Sequence, residues 1–209
     1  MLKTFLLVLC CAGGVFALNP QDRPSAPADR DSDSDEVYAA VVSWRTAHPG
    51  EGPSAKRVVF SDMTIQYSCF LNEKTEDCAT KVREQLTRAF GQDLEVGMFS
   101  DYLDRNKDRG PLSKSIPTGL PQSWLSDAEQ EALFNNKKKH DGWESFYAKY
   151  PGAGGIMAFS RVGFDEKRDH ALLYSTISCG WLCGTGHYFL LKRDSGKWVL
   201  FKSYMAWIS

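Results

Sequence analysis

The run Ser178-Cys179-Gly180-Trp181-Leu182-Cys183-Gly184-Thr185-Gly186-His187 gathers the residue types most able to do chemistry: two thiols, an imidazole and three glycines. Cys179, Cys183 and His187 recur every fourth residue, and with His170 they offer the sulfur and nitrogen donors that zinc takes. The spacing is not that of a CxxC knuckle. A second chemistry is a Cys183 thiolate activated by His187, which needs a free thiol and a third residue to orient the ring. A third is a Cys179–Cys183 disulfide closing a hairpin loop, whose glycines permit positive φ and close backbone approach. The disulfide is the simplest reading, and no metal or cofactor is assigned. A phosphate-binding loop is excluded: it needs Gly-Lys-Ser/Thr ahead of a helix, whereas His187-Tyr188-Phe189 continues as strand.

Trp143, Phe146, Tyr147, Tyr150 and Trp181 could line a pocket for a sugar ring or another apolar ligand. Aromatics at helical spacing also serve as core against a sheet. Arg161 falls within a strand and, if it points inward, requires a carboxylate partner. The candidate binding residues are therefore Trp143, Tyr147, Trp181, His187 and Arg161. No HExxH, GxSxG or carboxylate pair at a motif spacing occurs.

The N-terminus sets the compartment in which these groups would work. Lys3, the apolar run from Phe5 to Ala12 and the small residues ending at Ala17 form a secretory signal pattern over residues 1–17. The apolar run is too short to span a bilayer core about 30 Å thick. A competing reading is lipidation at Cys10 or Cys11, although neither follows the small residues a lipid anchor prefers. Without residues 1–17, which hold one Lys and no acid, 24 basic residues stand against 26 acidic ones, a net charge of −2. That balance carries no electrostatic footprint for nucleic acid or an anionic membrane. Four cysteines remain, and an exported thiol is normally oxidised. Cys69 ends a strand-like run and Cys78 opens the next helix, so the expected pairs are Cys69 with Cys78 and Cys179 with Cys183.

The elements that position these residues read in two blocks. Residues 18–34, rich in Pro, Ser, Asp and Arg, are expected to be a disordered linker, followed by a single domain over 35–209. Val37, Tyr38, Val41, Val42 and Trp44 recur at helical spacing up to His48-Pro49-Gly50. Arg57 to Ser68 alternates as a strand. Cys78, Val82, Leu86 and Phe90 step by four, and Gly91 follows as a cap. Phe99, Tyr102 and Leu103 suggest one short helix within an otherwise irregular 92–125. Ser126 and Glu129 form a capping box before Ala132, Leu133 and Phe134, and Asp141 and Glu144 open a similar helix through Tyr150. From Ile156 onward the period changes to two. The fold class read from this order is α+β, with N-terminal helices packed on one face of a C-terminal four-stranded antiparallel meander.

Gly142-Trp143, Phe146-Tyr147, Tyr150-Pro151-Gly152, Ser160-Arg161-Val162-Gly163-Phe164, Cys179-Gly180, Leu182-Cys183-Gly184 and Trp207-Ile208-Ser209 resemble a family of uncharacterised exported bacterial proteins. The resemblance implies a bacterial source and a periplasmic or extracellular location, and it brings no catalytic residue with it. The function expected is non-catalytic binding of a small molecule or an envelope protein. The alternative is a hydrolase or transferase acting on an envelope substrate at the Cys179–His187 loop. Export makes the first prediction: N-terminal sequencing of secreted protein should find Leu18, or a residue near it, first. A chain starting at Met1, or at a lipidated Cys10 or Cys11, would contradict it.

Overall fold

A computed structural model describes residues 32–48, 55–66, 75–135 and 141–209. The expected signal segment, most of the expected linker, and Cys69 lie outside these. The described chain is α+β, with five α-helices and one mixed sheet of seven strands. The helices are α1 (Ser32–Ala47), α2 (Thr75–Phe90), α3 (Val96–Arg105), α4 (Asp127–Phe134) and α5 (Gly142–Lys149). The strands are β1 (Arg57–Ser61), β2 (Gln122–Leu125), β3 (Ala153–Phe159), β4 (Gly163–Phe164), β5 (His170–Gly180), β6 (Cys183–Asp194) and β7 (Lys197–Ile208). None of the described helices is long and apolar enough to cross a membrane.

The sheet corrects the expected four-stranded meander. Its order is β2-β1-β3-β5-β6-β7, with β4 paired to β5. β1 pairs in parallel with both β2 and β3, and the remaining pairings are antiparallel. Parallel neighbours need long crossover connections, and here α2–α3 and α4–α5 supply them. β2 is only four residues long and lies just beyond Pro121, too short for its alternation to stand out. β1 ends at Ser61, and Met63 then forms an isolated bridge to Pro111. Inside that mixed sheet β3, β5, β6 and β7 are antiparallel neighbours.

Helices cover both faces, which corrects the one-face expectation. Residue parity shows how. Val58, Phe60, Met157, Phe159, Leu173, Phe189 and Leu191 pack with Val37, Tyr38, Val41 and Val42 of α1. The alternate residues Leu172, Tyr174, Tyr188 and Leu190 meet α2 and α3 through Val82, Leu86, Phe90, Met98, Phe99 and Tyr102. Val59 and Ile156, on that same second face, meet Phe146 and Tyr150 of α5. Strands buried on both sides read as continuous apolar runs rather than alternating ones, as the fully buried β3 does.

Local chemistry sets the helix ends. α1 opens at Ser32, inside the stretch read as linker, because Asp33 in its first turn suits the helix dipole. Asp33 also pairs with Arg168 at 3.1 Å and with Arg193, tying α1 to the open ends of β5 and β6. Gly91, at φ 61°, ends α2. Ser126 and Glu129 form the full capping box of α4.

Two of the loop glycines lie inside β6 and serve packing. Gly186 faces Trp207 of β7, and a Cβ on Gly186 would lie 2.0 Å from the indole Nε1. The bare backbone lets that indole lie across β6, where its Nε1 donates a 2.7 Å hydrogen bond to the Tyr174 hydroxyl on β5. An aromatic ring covering a strand glycine is a known way of pinning register. Gly186→Ala should therefore expel the indole and lower stability by about 1–3 kcal/mol, as overpacking does. Urea unfolding measures it, and a midpoint equal to the parent's would contradict the packing described.

Candidate functional site

On the α2–α5 face, the sheet between α3 and the α4–α5 pair carries a cleft of about 550 Å³, within the size range of small-molecule sites. Its floor is two register pairs of β3 and β5: Ile156 opposite Ser178, and Ala158 opposite Thr176. Ile156 and Ala158 make one half of the floor apolar, and Thr176 and Ser178 make the other half polar.

One wall is aromatic. Trp143 at the start of α5 packs against Phe134 of α4 at 4.8 Å between ring centroids, and against Phe146 at 5.5 Å and Tyr147 at 6.0 Å. Trp143 and Phe134 both line the cleft. Gly142 permits this contact, since a Cβ there would meet the Leu133 carbonyl and the Phe134 ring at 2.8 Å. α4 and α5 are joined further by Lys149, which donates to Glu129 at 2.7 Å.

Toward the start of α4 the lining turns polar: Asp127 and Gln130 share that helix with Phe134, and Arg109 reaches them from the loop after α3. Arg109 binds Asp127 bidentately, with 2.9 and 2.8 Å bonds to the two carboxylate oxygens. Its Nε donates to the Thr64 carbonyl at 3.0 Å, which fixes the guanidinium plane. Gln130, one turn along α4 from Asp127, also faces the cleft. Such planar side chains suit ligand hydroxyls, because each carboxylate oxygen keeps a lone pair for a further donor.

The rim is the β5–β6 turn. Cys179 and Cys183 form a disulfide with a Cα separation of 5.0 Å, within the ordinary range. The turn is only Trp181-Leu182, and the disulfide clamps it so that Trp181 stands 65% exposed beside the cleft. Tyr147 reaches the same turn from α5: its hydroxyl donates to the Cys179 carbonyl at 2.9 Å. Burial pushes the Tyr147 phenol above its ordinary value, so it stays a donor at neutral pH.

Of the five residues singled out from sequence, Trp143 and Trp181 line the cleft, and Tyr147 braces its wall. His187 and Arg161 do not line it. His187 is buried on the α1 face, its Nδ1 3.3 Å from Arg45 and its ring near Trp44 and Phe189. It therefore has no thiol to activate, and Cys183 is already oxidised. The zinc grouping fails for the same reason, and because His170 begins β5 whereas Cys179 lies near its end. Cys78 is disulfide-bonded; the expected partner, Cys69, is outside the described residues. Arg161 is held by its backbone to Asn106, and its guanidinium packs on Gly110. No carboxylate among the described residues pairs with it.

Arg109, Asp127 and Gln130 were not visible in sequence. Asp127 stands out only as the first residue after the Ser126 cap, and nothing in the spacing joins it to Arg109. Among the described residues, the lining hydroxyls Ser61, Thr176 and Ser178 hold no hydrogen bond to a histidine or carboxylate; Ser61 donates to the Met63 carbonyl at 3.0 Å. Comparison with known protein families, curated proteins and solved structures finds no match, so the site stands on its geometry.

The α4–α5 wall has a pH signature. Lys149 and the Ser126 cap lower the Glu129 carboxyl from 4.5 to about 2. A depressed carboxyl stabilises fully above its unfolded value and loses that contribution as pH falls toward its folded value. The pair is largely exposed, so screening limits its worth to about 1 kcal/mol or less. Glu129→Gln should be less stable than the parent by that amount at pH 7, and the difference should shrink between pH 4.5 and 2. Urea midpoints across that range test it; a difference that persists at pH 2 would contradict it.

Proposed function

We propose that this chain is an exported, non-catalytic binding domain, and that its cleft takes a saccharide. The observation that carries the reading is that Trp143 and Trp181 line one cleft together with Arg109, Asp127, Gln130 and Ser178. Sugar rings present apolar C–H faces and a rim of hydroxyls. Two tryptophans suit the faces, while Asp127, Arg109, Gln130 and Ser178 suit the hydroxyls. A lipid or aromatic ligand would favour a cleft with a larger apolar share.

Support for export comes from the signal pattern at residues 1–17 and from the Cys179–Cys183 disulfide, which suits an oxidising compartment. With the bacterial source that the resemblance implies, an envelope glycan would be an abundant ligand. The disulfide and the Tyr147 brace hold Trp181 in place before binding. That preorganisation limits the entropy lost when ligand arrives.

Calorimetric titration with N-acetylglucosamine oligomers tests the reading. The parent should bind them. Trp181→Ala should leave the fold intact, because the side chain is mostly exposed, and should weaken binding by about 2 kcal/mol, or roughly thirtyfold, as loss of an aromatic hot spot does. No heat from the parent, or equal affinity in the variant, would contradict the proposal.

A further inference from the structure

We propose that Glu95, Asp165 and His170 form a divalent transition-metal site, best matched to zinc, at the end of β5 remote from the cleft. Thr176 and Ser178 of the cleft floor lie six and eight residues along β5 from His170, about 20–27 Å at the usual rise. The inference does not depend on the saccharide reading.

The three side chains come from different elements. Glu95 precedes α3 and makes no side-chain cap to it. Asp165 follows β4, and His170 begins β5. His170 Nδ1 lies 3.3 Å from Glu95 Oε1 and 3.3 Å from Asp165 Oδ2, and all three donor atoms lie within 4.8 Å of one another. Zinc bonds to N and O of roughly 2.0–2.1 Å in a tetrahedral arrangement place ligand atoms about 3.3–3.4 Å apart. The two imidazole–carboxylate separations already have that value. Imidazole nitrogen and carboxylate oxygen are both donors that zinc takes, and a fourth position is left for water.

The supporting shell is in place. Asp165 is 7% exposed. Its Oδ1 accepts from the backbone N–H groups of Asp169 and His170 at 2.8 and 3.0 Å, which turns Oδ2 toward the imidazole. Orientation of a ligand carboxylate by backbone donors is typical of metal sites. The surrounding cleft of about 510 Å³ is lined by four carboxylates, Glu95, Asp165, Glu166 and Asp169, against Lys167 as the only permanent cation. Arg168 is directed elsewhere, over the Phe164 ring at 4.4 Å and toward Asp33. An imidazolium bridging the two carboxylates would share this geometry, so only metal binding separates the two cases. A bound ion would pin the N-terminus of α3 to the β4–β5 turn, on the face where α3 supports Tyr174 and Tyr188.

The test is calorimetric titration of chelator-treated full-length protein with zinc chloride at pH 7, in parallel with thermal unfolding. The parent should take up zinc, and its melting temperature should rise with zinc concentration. His170→Gln and Glu95→Gln should each keep the parent circular dichroism, weaken uptake at least about tenfold and remove the zinc-dependent shift. Glu95 is exposed and Glu95→Gln preserves its shape, so folding is not at risk in that variant. A parent that binds no zinc, or variants that both bind as the parent does, would overturn the site. Loss in only one variant would overturn the three-ligand assignment.

Discussion

The dominant constraint is a mismatch in length between the long strands and the helices laid over them. β5, β6 and β7 run 11 or 12 residues, about 36–41 Å at the usual rise. α4 and α5 have eight residues each, about 12 Å. On the α1 face one 16-residue helix lies over the middle of the sheet. On the other face two separate groups divide the task, α2–α3 over Leu172, Tyr174, Tyr188 and Leu190, and α4–α5 over Val59 and Ile156. Between them Ile156, Ala158, Thr176 and Ser178 face the cleft. The cleft thus follows from how the layers are cut, and its walls are the ends of elements needed for other reasons.

What keeps this face from collapsing is the packing on β6. Gly184 and Gly186 have no side chains, and Trp207 crosses above them to reach Tyr174. That single indole links three strands. Burial pushes the Tyr174 phenol up, so it remains a neutral hydroxyl that accepts from Trp207. The disulfide then holds the last turn, where a two-residue connection is followed by a register shift between Ser178 and Gly180. Short loops gain little entropic stabilisation from a cross-link, so the bridge acts on local shape. It holds Trp181 at the rim.

Much of this order was legible in the chain. The helices around Val37–Trp44, Cys78–Phe90, Phe99–Leu103, Ala132–Phe134 and Trp143–Tyr150 follow from their apolar spacing, and the Ser126–Glu129 box marks its helix start. The sheet was not legible. One parallel pairing depends on β2, four residues from a proline-rich stretch, and no local period announces a strand that short; the other joins β1 to β3, far apart in the chain. The glycines at 184 and 186 read as a loop because a strand glycine and a loop glycine look alike until Trp207 is found above them. His187 pointed to chemistry because it follows Cys183 by four, yet the alternation of β6 sends it to the α1 face beside Arg45. The same parity logic explains the site. Trp143 and Trp181 were visible as aromatics, whereas Arg109 and Asp127, 18 residues apart, meet only through the fold.

The chain holds six tryptophans, and their placement permits a direct test. Trp143 and Trp181 line the cleft, while Trp44, Trp124 and Trp198 belong to the core on the α1 face. Indole N–H signals in a ¹⁵N-correlated NMR spectrum should report which group a glycan touches. On addition of an N-acetylglucosamine oligomer, the signals of Trp143 and Trp181 should shift and those of Trp44, Trp124 and Trp198 should not. Shifts confined to the second group, or none at saturating oligomer, would contradict the saccharide reading.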